Sequence, residues 1–355
     1  MSSYLVIRRA ISSRKLAEIT RNGPGAFVSV SLPSCWLLSL ASLFWCSRSL
    51  LGENDELGNG LIFDSRAYNG PMRATEPSRT ALRVAMWRAA HQLFDAPRVL
   101  DDPLATRIIG EKATQRIERA RRLHRAAMAR SARAFMVARS RLAEDELARA
   151  VGRGTAQCVV LGAGLDTFGY RSPYRERGLR VFEVDHPATQ AWKRERLAEA
   201  NIAIPESVTF APVDFDQQTL ADGLASAGFD RRAPAFFSWL GVTMYLTDDA
   251  FGATLAFIAS LPPGGGVVFD YVVAAAALGW KARLLRYGLM RRVARAGEPM
   301  RSSFMPNQLV ARLSGAGFRE IHDLGASELN ARYFCDRADE LRLTSGFGRI
   351  ATAEV

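Results

Sequence analysis

The chain has 355 residues, 48% hydrophobic and 23% charged, proportions that exclude a disordered chain and a polytopic membrane protein. Its formal net charge of +11 comes almost wholly from arginine, since only four lysines are present; such a surface would attract nucleic acid or anionic membranes, or simply reflect arginine-rich codon usage. Cys35, Cys46, Cys158 and Cys335 show no Cys-x-x-Cys spacing and no histidine pattern nearby, so neither a zinc site nor a disulfide framework is suggested and a reducing cytoplasm is the expectation.

The first 71 residues read differently from the rest. Phe27 to Cys46 carries no charge and follows the basic stretch Arg8, Arg9, Arg14, Lys15 and Arg21, but Ser29, Ser31, Ser34, Ser39, Ser42 and Pro33 dilute its apolar character. Three readings stay open: an upstream translation artefact with the true start near Met72, a membrane-anchoring helix over 27–46, or a disordered tail. Asn69-Gly-Pro-Met72 is the expected boundary, leaving 72–355 as one elaborated domain.

Residues 78–153, rich in Ala, Leu, Met and Arg and broken by Pro97 and Pro103, predict a helical cover. Arg116, Arg119, Arg121, Arg122, Arg125, Arg130 and Arg133 make it strongly basic. No aromatic residue interleaves them for base stacking, so a solvated helix face is preferred to a nucleic-acid footprint.

A strand-and-helix rhythm begins at Gln157. Strands are expected to end near Leu161, Val184, Val213 and Leu240, with helices over Pro187–Ala200 and Gln217–Ala227. Thr247 caps a helix running to Leu261, Val267–Tyr271 is a fifth strand, and Ala274 to Ala296 reads as inserted helices. A helix over Pro306–Gly315 follows, then a closing pair of strands at Phe318–Leu324 and Ala331–Cys335. Cys158 and Cys335 would then be small core hydrophobes within strands.

The first strand ends in Gly162-Ala-Gly164-Leu-Asp166-Thr167, and the second ends in Asp185. A strand ending in Gly-x-Gly leaves backbone bare for close approach, and a carboxylate at the next strand end offers acceptors to a ribose diol. A dinucleotide fingerprint would place a third glycine at Thr167, and the acid at 166 disfavours a phosphate. After the third strand, Asp214 suits an exocyclic adenine amine and Phe215 the ring face. S-adenosyl-L-methionine fits this pattern better than NAD. Two alternatives stay open: an NAD(P)-dependent oxidoreductase, and a basic nucleic-acid-binding protein with a vestigial pocket.

Ala138-Arg-Ser-Arg-Leu-Ala-Glu-Asp-Glu-Leu147, Val160 to Arg171, Phe182-Glu-Val-Asp-His-Pro187 and Pro212-Val-Asp-Phe215 resemble the leucine carboxyl methyltransferase family, most of all its bacterial S-adenosyl-L-methionine-dependent branch. The resemblance runs from about Thr80 to Leu343. It implies a class I, Rossmann-like α/β fold: a doubly wound, mostly parallel seven-stranded sheet with the helical cover and a helical lid inserted at 274–300.

The resemblance also implies roles. Arg139, with Arg141 as its rival, matches the arginine for the cofactor's methionine carboxylate; Gly162 and Gly164 lie against the cofactor; Asp185 takes the ribose and Asp214 with Phe215 the adenine. Asp166 reaches the cofactor's ammonium or caps the following helix. Leu240 departs from the family, whose members commonly carry a glutamate there. Tyr245 lines the substrate pocket or the core, and His186 is expected in a solvent-facing turn. The acceptor implied is a carboxylate or hydroxyl oxygen of a small molecule or protein. A carboxylate would need no general base, and a hydroxyl would, with Asp270 and His322 unranked for that task.

Overall fold

A computed structural model describes residues 79–355 apart from 216, 281, 285, 288–299 and 345. All belong to the second of the two units into which the chain divides, Asn59–Val355. The expectations for residues 1–71, and much of those for 274–300, fall outside the described residues.

Residues 79–152 form five helices: α1 (Arg79–Phe94), α2 (Ala105–Ile109), α3 (Glu111–Arg119), α4 (Arg121–His124) and the long α5 (Ala127–Gly152). The sheet then begins: β1 (Gln157–Leu161), α6 (Phe168–Arg171), β2 (Arg180–Asp185), α7 (Pro187–Glu199), β3 (Val208–Pro212), α8 (Leu220–Ser226), β4 (Ala235–Trp239), α9 (Asp248–Ala259) and β5 (Gly266–Val272). The described chain closes with α10 (Pro306–Gly315), β6 (Arg319–Leu324), α11 (Ala326–Tyr333) and β7 (Gly348–Glu354).

Seven strands lie in the order β3-β2-β1-β4-β5-β7-β6, with β1 to β5 parallel and β7 antiparallel to both neighbours. The order reverses between β1 and β4, the point where open sheets of this kind leave a crevice at their carboxyl ends. Both faces are covered, which is why β1 and β5 are buried along their length and mostly apolar, Gln157 and Asp270 apart. Alternate residues go to opposite layers: Cys158 and Val160 pack with Ala85, Ala89, Val137 and Leu142 of α1 and α5, whereas Val159 and Leu161 pack with Phe182, Phe237 and Phe251.

Helix starts follow their caps. Thr247 Oγ1 accepts from Ala250 N for α9, and Thr219 with Asp222 forms a capping box that starts α8 at Leu220, later than Gln217. His186, half-buried, caps α7 through Nδ1, which accepts from Ala188 N.

The expected strand over Ala331–Cys335 is corrected. Those residues belong to, or directly follow, helix α11, and the last strand is β7, Gly348–Glu354. Glu328 sets the helix start by accepting from Gly325 N at 2.8 Å, Leu329 is its buried anchor, and Asn330 clasps the backbone of Leu343 through both side-chain atoms. Cys335 is exposed and no core hydrophobe, while Cys158 is buried and its thiol pKa is pushed up by burial.

Candidate active site

The carboxyl ends of β1 and β2 are stitched together by backbone. Gly162 N and Ala163 N both donate to Val184 O, at 2.8 and 3.0 Å, and Gly164 N donates to Asp185 Oδ2 at 2.6 Å. Asp185 Oδ1 accepts from His186 N at 2.7 Å, and its carbonyl accepts from Val213 N at 2.9 Å. One carboxylate thus ties the glycine loop to its own strand end. Burial raises its pKa, and the two N–H donors, the Lys193 charge and a Thr189 side-chain hydrogen bond only partly oppose this.

Glycine is required twice in this loop. Gly162 has φ 66° and a Cβ there would meet Val242 Cγ2 at 2.3 Å; Gly164 has φ 44° and a Cβ would meet Ala81 Cβ at 2.8 Å. Gly162 is exposed and Gly164 buried, so the first leaves bare backbone at the surface and the second lets α1 pack close.

Asp166 turns inward from the loop. Its Oδ1 accepts from Phe168 N at 2.8 Å and caps α6, and its Oδ2 accepts from Arg88 Nη1 at 3.1 Å. Of its two expected uses, capping is the one these contacts display. Burial raises its pKa, but the charges of Arg88 and Lys193 and the Phe168 N–H outweigh this and hold it below the usual carboxylate range.

Arg88 is a residue that sequence reasoning missed. It is 3% exposed on α1; Nη2 donates to Leu165 O at 2.6 Å and Nε lies 3.3 Å from Asp102 Oδ2. Thr167 donates to that same oxygen at 2.7 Å, Arg171 Nε lies 3.4 Å from Oδ1, and Arg171 pairs with Glu144 of α5. The helical cover is therefore clamped onto the glycine loop by buried charge. An arginine on the apolar side of α1 was the available signal.

At the other flank, Arg139 is 4% exposed and donates from Nη1 to Asp270 Oδ2 at 2.7 Å, while Gly241 N donates to Asp270 Oδ1 at 2.5 Å. Thr243 Oγ1 donates to Asp270 O. The guanidinium lies 3.2 Å from where a Cβ on Gly241 would stand, and its buried Nε has no hydrogen-bond partner among the described residues. Its rival Arg141 is exposed and paired with Asp145 on the same helix. Leu240 offers no acid here; Asp270, on the adjacent strand, is the carboxylate at this edge.

Asp214 is half-buried after β3, with Oδ2 accepting from Gln217 Nε2 at 2.7 Å, and Phe215 beside it is 59% exposed. Tyr245 ends a short 3-10 turn, Thr243–Tyr245. The arginines expected on a solvated face divide: Arg133 is instead buried against Asp95, with Nε and Nη2 at 2.6 and 2.8 Å from its oxygens, while Arg116, Arg119 and Arg122 are exposed. Among the described residues no cluster of three or more His, Cys, Asp or Glu could hold a metal ion, and no helix is long and apolar enough to cross a membrane.

These residues fit an adenosyl amino acid: bare glycine backbone, an acid with spare acceptor capacity at the β2 end, an exposed aromatic after β3, and a buried guanidinium with an unused nitrogen. Comparison with known proteins gives the family. The leucine carboxyl methyltransferase family model matches residues 81–259. "Putative S-adenosyl-L-methionine-dependent methyltransferase YktD" of Bacillus subtilis is 34% identical over 293 residues, covering 76% of this chain and 95% of that protein. A similarly named protein of Saccharopolyspora erythraea is 32% identical over 186 residues, 52% of this chain and 64% of its own. A DUF574 family protein from Streptomyces avermitilis, solved by crystallography, aligns over 79% of this chain and 99% of its own with 18% identity and a TM-score of 0.49. The chain belongs to the leucine carboxyl methyltransferase family and is an S-adenosyl-L-methionine-dependent methyltransferase.

Proposed function

We propose that Asp185 holds the cofactor ribose, Asp214 and Phe215 its adenine, and Gly162, Gly164 and Arg139 its amino-acid end, and that the acceptor is a carboxylate oxygen of a small molecule or protein. The observation that carries the cofactor placement is the Asp185 carboxylate at the β2 end, which accepts from Gly164 N, His186 N and the Thr189 side chain and, with about four acceptor sites on its two oxygens, retains capacity for a ribose hydroxyl. Arg139 Nε supports the other end, since a buried donor without a partner is costly unless a ligand supplies the acceptor. Asp166 faces Arg88 and Phe168 N and is assigned to holding the loop.

When bound, S-adenosyl-L-methionine supplies a methyl group already made electrophilic by its sulfonium sulfur. The residues of the chain then have to orient the acceptor and exclude water. A hydroxyl acceptor would also need a base within hydrogen-bond reach. Asp270 serves poorly, because Arg139 and Gly241 N already occupy its oxygens. His322 sits on β6 within a cavity lined by Glu146, Arg149 and Glu354, none of them a cradle residue. A carboxylate, ionised at neutral pH, needs neither. The cytoplasm is assigned as the compartment that holds the methyl donor.

The test is transfer of label from methyl-labelled cofactor by the full chain to a panel of carboxylic acids and matched phenols. Label released as methanol under mild base marks an ester and supports a carboxylate acceptor; base-stable label refutes it. Loss of transfer in Asp185→Ala, with the fold intact by circular dichroism, is expected.

A further inference from the structure

The arginine-rich cover contains a second polar cavity, of about 300 Å³, that shares no lining residue with the cofactor cradle. We propose that it binds a small phosphate- or carboxylate-bearing anion. It lies between the end of α1, α4, the start of α5 and the turn at Asp339. Arg133 on its wall precedes Arg139 by six residues on α5, about 9 Å along the helix axis.

The charge on its walls is not balanced. Both lining acids are already matched: Asp95 by the Arg133 fork and by His91 Nδ1 at 2.8 Å, and Asp339 by Arg337 Nε at 2.9 Å. Arg130 donates from Nη1 to Arg125 O at 2.7 Å, and the acid it meets among the described residues is the exposed Glu340, at 2.8 Å, a pairing of small worth in water. Arg125 has no ion pair among the described residues, and Arg121 lies over the Phe94 ring, 5.2 Å from its centre, an arrangement that leaves its N–H edge available. Two guanidiniums without acids among the described residues, and a third whose acid is exposed, thus surround one hollow.

The floor is built rather than incidental. His124 is 6% exposed, its ring set between Trp87 and Phe94 at 5.5 and 5.2 Å, and its carbonyl accepts from Arg133 Nη1 at 3.1 Å. Its buried Nδ1 has no hydrogen-bond partner among the described residues. A buried polar nitrogen left empty is unfavourable, and an oxyanion seated among the arginines would satisfy it through Nδ1–H. Guanidinium forks match both phosphate and carboxylate oxygens. The concave shape, with Phe94 covered by Arg121, favours a compact anion over a nucleic-acid strand, which needs open aromatic faces to stack on.

Calorimetric titration of the full chain with inorganic phosphate and with malonate, at constant chloride, tests this. Saturable one-to-one binding is expected, weakened at least about tenfold in the double variant Arg121→Gln/Arg125→Gln, with affinity for S-adenosylhomocysteine unchanged. In 15N spectra the His124 ring signal, identified by its loss in His124→Gln, should move with phosphate. The variant Arg119→Gln/Arg122→Gln, which removes the same charge outside the cavity, should bind as wild type. Absence of saturable binding, equal loss in both double variants, or binding of a single-stranded RNA oligomer without binding of either small anion would each overturn the proposal.

Discussion

Replacing Arg88 with methionine keeps the stem and removes the fork that joins the cover to the glycine loop. The wild-type guanidinium reaches Leu165 O at 2.6 Å, Asp166 Oδ2 at 3.1 Å and Asp102 Oδ2 at 3.3 Å. Asp102 has no exposure and would keep only the Thr167 hydroxyl and a distant Arg171 Nε, and Leu165 O would lose its donor. Breaking a buried ion pair while leaving one partner behind costs about 3–5 kcal/mol. At roughly 2 °C per kcal/mol for a domain this large, the melting temperature should fall by about 6–10 °C. Arg88→Lys should fall less, because it keeps the charge and loses the fork. Asp166 adds a pH signature. Its pKa is held down in the fold, so it contributes stability above the ordinary carboxylate pKa of about 4 and loses it as pH falls through the lower folded value. Arg88 supplies part of that shift, so the gap between wild type and Arg88→Met should narrow in acid. Thermal melts by circular dichroism from neutral pH to about pH 3 read both effects. A variant melting within about 2 °C of wild type, at a cost then near 1 kcal/mol, would refute the clamp.

Other consequences follow from the same geometry. Gly162→Ala should weaken binding of S-adenosylhomocysteine by about tenfold or more, since left-handed backbone costs an alanine about 1 kcal/mol and the Val242 contact at 2.3 Å adds to it; calorimetry of Gly162→Ala/Val242→Ala should recover part of the loss, and no recovery would place the strain elsewhere. Asp185 is a base whose raised pKa makes the ionised, diol-accepting form recede early. Binding by wild type should therefore weaken on acidification from a pH above the normal carboxylate range, whereas Asp185→Asn should bind weakly at every pH; parallel pH profiles for the two would contradict the assignment. His124 is held neutral, its pKa lowered to about 4 by burial first and the Arg133 charge second, with Asp95 opposing. An unfolded histidine titrates near 6.5, so stability should fall by roughly 3 kcal/mol between pH 6.5 and 4 and this component should level off below; denaturant unfolding of His124→Phe should show a correspondingly flatter profile over that window.

Much of the cradle is readable because its chemistry is local. Gly162, Gly164 and Asp185 stand at strand ends whose apolar runs are unmistakable, and Thr247 announces its helix by the standard cap. What lies beyond reach of sequence is pairing at a distance. Arg139 meets Asp270 across 131 positions, Arg133 meets Asp95 across 38, and Arg88 meets the loop across 77, so arginines of the cover divide into solvated, structural and candidate-site members with nothing local to separate them. The last strand was hidden for a different reason. Gly348–Glu354 is modestly apolar because β5 and β6 pin it by backbone bonds on both sides, whereas the aromatic pair Tyr333 and Phe334 imitates a strand at the end of a helix. The Gly325 to Glu328 spacing was the signal that favoured the helix.

Crystals of the full chain grown with S-adenosylhomocysteine test the central claim most directly. The ribose hydroxyls should lie within hydrogen-bond distance of Asp185, the amino-acid moiety against Gly162 and Arg139, and the adenine beside Phe215. Ligand density at any other edge of the sheet, or a carboxylate at Asp185 bound only to Gly164, His186 and Thr189 with the ligand in place, would contradict it.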